Sequence, residues 1–172
     1  YEIYRWTGVQ TCALPILPDA AFAARSLRLN RPESISVSGS GDRIVISNSG
    51  SCEITVFLFG TGSKLHASRY IAIKNKNLFN YAHGAVFGSF DHIVLALGEY
   101  SHALSAISME KYGDGEAEPK ILWSISGRKH GLHNPADLAL HPSEEWLVVA
   151  NRKKPGLSFL RFNGTCGTVA PI

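Results

Sequence analysis

A segment reading as short strand, tight polar turn and strongly apolar strand occurs three times in this chain. Its period of about fifty residues constrains the fold more than any other feature. The copies are Pro32–Asn48 (PESISVSGSGDRIVISN), His83–Leu97 (HGAVFGSFDHIVLAL) and Pro135–Asn151 (PADLALHPSEEWLVVAN). The turn acids Asp42, Asp91 and Glu145 lie 49 and 54 residues apart. Ile44, Ile93 and Leu147 open the apolar strands at the same separations, and small residues follow at Ser47, Ala96 and Ala150. Each copy continues into an alternating strand: Glu53–Phe59, Ala103–Met109 and Gly156–Phe162. A fourth strand follows in the first two units, Arg69–Ile73 and Ile121–Ile125, and the third offers Thr168–Ile172. β-Branched and aromatic residues dominate these runs, and the period of two fits half-buried antiparallel strands. No helical pattern of any length intervenes. Asp19–Leu27 reads either as a turn of helix or as the last strand of a preceding unit.

Four strands per unit at this period is the arithmetic of a β-propeller blade. An immunoglobulin-like sandwich would show about seven strands per hundred residues without this echo. The predicted fold is therefore all-β: a partial β-propeller of about three four-stranded antiparallel blades, near residues 30–75, 80–127 and 132–172. A blade is a small twisted sheet with two apolar faces, which only neighbouring blades can cover. A ring of six to eight blades would need roughly 300–400 residues. With 172 residues the expected object is an open arc with two bare blade faces, prone to poor solubility or self-association.

Residues 1–17 stand apart. The run Thr7–Ile16 (TGVQTCALPI) resembles a translated sequencing-library adapter, so residues 1–17 are expected to be an artefact and the propeller to occupy 18–172. Setting them aside removes Cys12 and leaves Cys52 and Cys166, which have neither metal-site nor redox spacing. The net charge of +3 is scattered, and the clusters Lys74–Lys76 and Arg152–Lys154 are too short to track phosphates. No apolar run approaches the ~20 residues of a membrane span. The expectation is a soluble protein with no nucleic-acid partner. The compartment is left open by the cysteines, with the cytoplasm the working assumption.

The third unit, Asn134–Asn151 followed by Gly156–Phe162, resembles the blade pattern of seven-bladed lactonase-like propellers of the 6-phosphogluconolactonase and YVTN types. That pattern runs from Pro through hydrophobic-His-Pro to Val-Ala-Asn. Ala82–Gly84 and Leu97–Tyr100 are similar to the same family. Glu144 and Glu145 depart from it, replacing the usual turn glycine, and Ser47–Asn48 and Ala96–Leu97 are weak versions of Ala-Asn. NHL-type and gluconolactonase-type propellers share much of the pattern. WD repeats and Kelch repeats do not fit, because the Gly-His and Trp-Asp pairs and the double glycine are missing.

The resemblance implies a sugar-lactone hydrolase in the complete ring, with the site on the face where the loops between blades meet the loops between second and third strands. Those loops hold His83, Glu99, His130, His133, Asn134, Asn151 and Arg152. Lactone hydrolysis needs a base to activate water and a donor or cation for the oxyanion. His83 or Glu99 is the candidate base. His133, Asn134, Asn151 and Arg152 are the candidate substrate-binding residues, Arg152 having the bidentate geometry for a carboxylate or phosphate. No metal site is assigned, and no cofactor. In a gluconolactonase-like protein, Glu99 and Asn151 would be oxygen ligands for a divalent cation such as calcium. The alternative for each residue is a polar side chain closing its own loop, Asn48 and Asn151 above all. A non-enzymatic propeller that binds a protein ligand is the second functional expectation. His141 is assigned to its hairpin. His130 and His133 have zinc-like spacing without a third ligand, and Lys111–Pro119 reads as an acidic hairpin loop.

Overall fold

The computed structural model describes residues 29–59, 67–88, 91–109, 119–153, 156–162 and 170–171. The adapter-like segment, Cys166 and most of the acidic loop lie outside them. The chain divides into Tyr1–Asn30 and Arg31–Ile172, and the second unit holds the fold.

Among its described residues that unit contains twelve strands in three antiparallel meanders. Blade 1 is β1 (Pro32–Val37), β2 (Arg43–Asn48), β3 (Glu53–Phe59) and β4 (Ala67–Lys74). Blade 2 is β5 (Ala82–Gly88), β6 (Ile93–Gly98), β7 (Ala103–Ser108) and β8 (Lys120–Ser126). Blade 3 is β9 (Pro135–Leu140), β10 (Trp146–Asn151), β11 (Gly156–Arg161) and β12 (Ala170–Pro171). The only helical element among the described residues is a 3₁₀ turn at Arg128–His130. No helix among them is long and apolar enough to cross a membrane.

The sequence puts its most apolar strand in the middle of the arc. Every residue of β6 is buried. Val94 and Ala96 point into a core shared with Val45, Ile54 and Val56 of blade 1. Ile93, Leu95 and Leu97 point the other way, onto Leu138, Leu147 and Val149 of blade 3. Burying a side chain of this size stabilises by roughly 1.5–3 kcal/mol, so blade 2 is held from both faces by its neighbours. The first strands lie side by side, β1 against β5 and β5 against β9.

The repeat is real, but one of its marker positions is not where its spacing suggests. Asn48, Gly98 and Asn151 each pair with the first residue of their blade's third strand. Counting back from them, Ile44 and Leu147 match Val94 and not Ile93, giving separations of 50 and 53. Ile93 faces blade 3, whereas Leu147 faces blade 2. A one-residue slip turns a strand side chain to the other face. A strand apolar on both faces carries no alternation to fix its phase. The turn acids shift likewise: Asp91 is equivalent to Gly41 and Glu144, all with positive φ (64°, 75° and 55°).

Asp91 ties the lower edges of blades 1 and 2. Its carboxylate accepts from the N–H of Gly39 (2.8 Å) and Ser40 (2.9 Å) and from Ser40 Oγ (2.8 Å). Arg43 Nη1 donates to its carbonyl at 3.0 Å. Partial burial alone would raise its pKa, but the Ser40 and Gly39 bonds and the Arg43 charge together hold it below the ordinary value. A depressed carboxylate contributes stability that is complete above its unfolded pKa and is lost as pH falls through the folded value. Asp91→Asn keeps a residue that tolerates positive φ. The variant is expected to lose less stability on acidification below about pH 4 than the parent, read as urea midpoints across pH. Parallel midpoint curves would show that Asp91 makes no such contribution.

Candidate functional site

The three blades present one repeated device at the end where the inter-blade loops enter. Arg31, Tyr81 and Asn134 precede the first strands and take φ of 53°, 57° and 55°. Their carbonyls accept from the N–H of Ser49, Glu99 and Arg152 at 3.0, 3.0 and 2.9 Å. Two residues further on, each first strand carries a bulge, at Glu33, at His83–Gly84 and at Ala136. A bulge re-aims a side chain that a regular strand would bury. The blades thus offer equivalent positions occupied by Glu33, His83 and Ala136, and by Ser49, Glu99 and Arg152.

Four of these residues meet. Arg152 Nη2 donates to His83 Nε2 at 3.0 Å, across 69 residues of sequence. Arg152 Nη1 lies 3.5 Å from Glu99 Oε2. His83 Nε2 lies 3.9 Å from Glu99 Oε2 and 3.8 Å from Glu33 Oε2. Glu99 is only 2% exposed, and its Oε2 has no hydrogen-bond donor in range among the described residues. The ion pair with Arg152, whose side chain is 52% exposed, is the charge that balances it. A guanidinium only donates, so His83 Nε2 accepts, which places the imidazole proton on the buried Nδ1. Ser34 of blade 1 fixes the His83 bulge by donating to the His83 carbonyl (2.7 Å) and accepting from the Ala85 N–H (3.1 Å).

The other candidates hold the scaffold. Asn151 Oδ1 accepts from the His133 N–H at 2.8 Å, and its amide donates to the Gly131 carbonyl (3.1 Å) and Ser158 Oγ (2.8 Å). Asn48, at the same place in blade 1, donates to Thr55 Oγ1 at 2.8 Å. Asn134 is buried, and its N–H donates to His102 Nδ1 at 3.0 Å. The His133 carbonyl accepts from the Lys153 N–H at 3.4 Å. His133, Asn134 and Asn151 therefore brace the turn that delivers Arg152 rather than joining the four. His141 bonds Ser143 within its hairpin and stacks on Trp146 at 4.3 Å.

Glu33 is the member that motif reading missed. It occupies in blade 1 the place of His83 in blade 2, and aligning the blades at their bulges finds it.

The residues do not fit a divalent cation. The Asn151 oxygen is engaged by His133, and a guanidinium stands on Glu99. Among the described residues no group of three His, Cys, Asp or Glu side chains is placed to hold a metal.

This architecture is that of a β-propeller, present here as a three-blade arc. Over 81% of its length the chain is similar to a protein from Bacteroides uniformis described as a putative 6-phosphogluconolactonase, with a TM-score of 0.62 and 22% identity, covering 39% of that chain. Over 82% it is similar to the periplasmic gluconolactonase of Pseudomonas aeruginosa, with a TM-score of 0.63 and 14% identity, covering 38% of that chain. The β-propeller domain of Cps50 (Swd1) from Myceliophthora thermophila matches 74% of the chain with a TM-score of 0.56 and 11% identity, covering 39% of that chain. The chain thus spans about two fifths of the structures it matches. No protein-family profile matches it, and no curated protein matches its sequence.

Proposed function

We propose that this chain is part of a sugar-lactone hydrolase of the 6-phosphogluconolactonase kind, with its reaction centre at Glu33, His83, Glu99 and Arg152. The observation that carries the reading is Glu99, a carboxylate 2% exposed that faces an imidazole and a guanidinium drawn from different blades. Burying a polar group is costly unless partners meet it, and here those partners come from two blades.

The geometry supplies the parts. An anionic group on the substrate draws the half-exposed Arg152 guanidinium off His83. The freed Nε2 lone pair then takes a proton from water as the water oxygen bonds to the lactone carbonyl carbon. Glu99 and Glu33 flank the imidazolium that results, while Arg152 stays on the anionic group of the substrate. Collapse of the tetrahedral adduct breaks the ring C–O bond, and the proton passes from His83 to the departing alkoxide. The net change is lactone plus water to hydroxy acid.

A second reading, a propeller that binds a protein ligand without catalysis, draws on the same Arg152–His83 bond. Left in place, that bond keeps the base occupied. The two readings part in the full-length protein expressed from an uninterrupted gene. Hydrolysis of 6-phosphogluconolactone and gluconolactone is measured with and without calcium. A rate well above the spontaneous one is expected, and none would remove the enzyme. Arg152→Ala is expected to lower kcat/KM for the phosphorylated lactone by about 100-fold or more, in line with loss of a charge-assisted contact, and for the neutral lactone far less. Equal losses would overturn the role given to Arg152.

A further inference from the structure

Glu99 and Arg152 are joined twice. Their side chains meet at 3.5 Å. Their backbones are joined by a chain of three hydrogen bonds that has no part in the chemistry above. The Glu99 carbonyl accepts from the His102 N–H at 3.3 Å. His102 Nδ1 accepts from the Asn134 N–H at 3.0 Å, across 32 residues of sequence. The Asn134 carbonyl accepts from the Arg152 N–H at 2.9 Å. Together with the ion pair, this chain closes a circuit from blade 2 to blade 3 and back. Its one side-chain link is the His102 imidazole. Because Nδ1 accepts, the ring is neutral with its proton on Nε2.

The turn itself does not need that ring. In blade 1 Cys52 holds the same place. It takes φ of 55° where His102 takes 49°. The Cys52 carbonyl accepts from Asn75 N–H at 3.3 Å, as the His102 carbonyl accepts from Gly127 N–H at 2.9 Å. A thiol is a weak acceptor, whereas an imidazole lone pair is a strong and directed one.

We infer that His102 is the positioning residue of this site: its Nδ1 holds Asn134, and through Asn134 the Arg152 backbone, so that the guanidinium reaches Glu99 and His83. The inference rests on the reading of those residues as the reaction centre and adds what sets their distance. Arg152 is half exposed on a long side chain, so its reach depends on where the backbone stands. A misplacement of about 1 Å is enough to lower a rate substantially.

Two substitutions separate the lone pair from the turn. His102→Gly removes the acceptor and keeps the positive φ without strain. His102→Asn keeps both, because its Oδ1 hangs from Cγ as Nδ1 does and asparagine tolerates this φ. On the intact chain, amide hydrogen exchange is read residue by residue by fragmentation mass spectrometry, which needs no turnover. In His102→Gly the Asn134 and Arg152 amides are expected to exchange about three- to tenfold faster than in the parent, the worth of one hydrogen bond, beyond any change in β6 and β10. His102→Asn is expected to restore the parent rates. Unchanged exchange, a rise shared equally by the strands, or no rescue by asparagine would overturn the inference. In the full-length protein His102→Gly is expected to lower kcat/KM for the phosphorylated lactone about tenfold more than for the neutral one, and His102→Asn to keep the parent ratio. Equal falls for both lactones would reduce His102 to a structural role and overturn the inference. Exchange that follows the acceptor, without lactone turnover by the full-length parent, would remove the hydrolase and leave His102 as the holder of Arg152.

Discussion

Replacing Gly98 by alanine is expected to cost the fold at least about 3 kcal/mol, the upper end of overpacking plus one hydrogen bond. A Cβ at this position would lie inside the van der Waals envelope of the Leu78 carbonyl oxygen and of Ser101 Oγ. The serine can rotate, but the carbonyl belongs to the loop that joins blades 1 and 2 and cannot retreat alone. That carbonyl is the acceptor for Ser101 Oγ at 2.6 Å. Blade 3 shows why a glycine is needed here. Its equivalent residue is Asn151, whose amide bonds the Gly131 carbonyl at the place Leu78 holds in blade 2. In blade 2 the loop closes nearer, the bond comes from Ser101, and no side chain fits at position 98. A urea titration beside Gly41→Ala separates the causes. Gly41 has positive φ (75°) and open space around a Cβ, so that variant is expected to lose only about 1 kcal/mol through backbone strain. If Gly98→Ala were no more damaging than Gly41→Ala, the close approach would be of no consequence. In the full-length protein the same change should lower activity, because Glu99 is the next residue.

The strands were legible because their β-branched and aromatic runs are short and bounded by polar turns. All three meanders fall where those runs lie. The misreading at Ile93 has a definite cause: the run Ile93–Leu97 is apolar at every position, so only the register with β5 and β7 shows which residues face which blade. Three of the four residues of the candidate site were legible from their chemistry. His83, Glu99 and Arg152 are chemically conspicuous, Glu99 and Arg152 in turns and His83 at the start of β5. Glu33 stands inside a strand and gains its role from a bulge, which leaves no mark in composition. That Arg152 reaches His83 depends on the turn of one blade against the next, a quantity no local pattern carries. The positive φ shared by Arg31, Tyr81 and Asn134 was hidden because three unlike residues adopt it.

The bare outer face of blade 3 is expected to make this chain self-associate. Leu157 is 61% exposed and Phe159 is 45% exposed. Their equivalents in blade 2 are Leu104 and Ala106, and in blade 1 Ile54 and Val56, all with 0% exposure beneath the following blade. The face therefore has the composition of an inter-blade contact with the next blade lacking. At the other end Ile35 and Val37 of β1 are exposed, whereas the counterparts of Ile35, Ala85 and Leu138, are buried against a preceding blade and those of Val37, Phe87 and Leu140, are half-buried. The two faces are unlike and complementary, so pairing between copies is head-to-tail and does not close on itself as a two-fold dimer does. Covering one Leu and one Phe is worth roughly 3–6 kcal/mol before the cost of association, enough for a species that grows with concentration. Sedimentation velocity over a concentration series is expected to show that growth. The double substitution Leu157→Ser, Phe159→Ser is expected to shift the chain toward monomer while leaving both inner cores, and so the cooperative melt, in place. A parent chain that stays monomeric at every concentration, with amides protected from exchange in all three blades, would mean that three blades satisfy one another without a fourth.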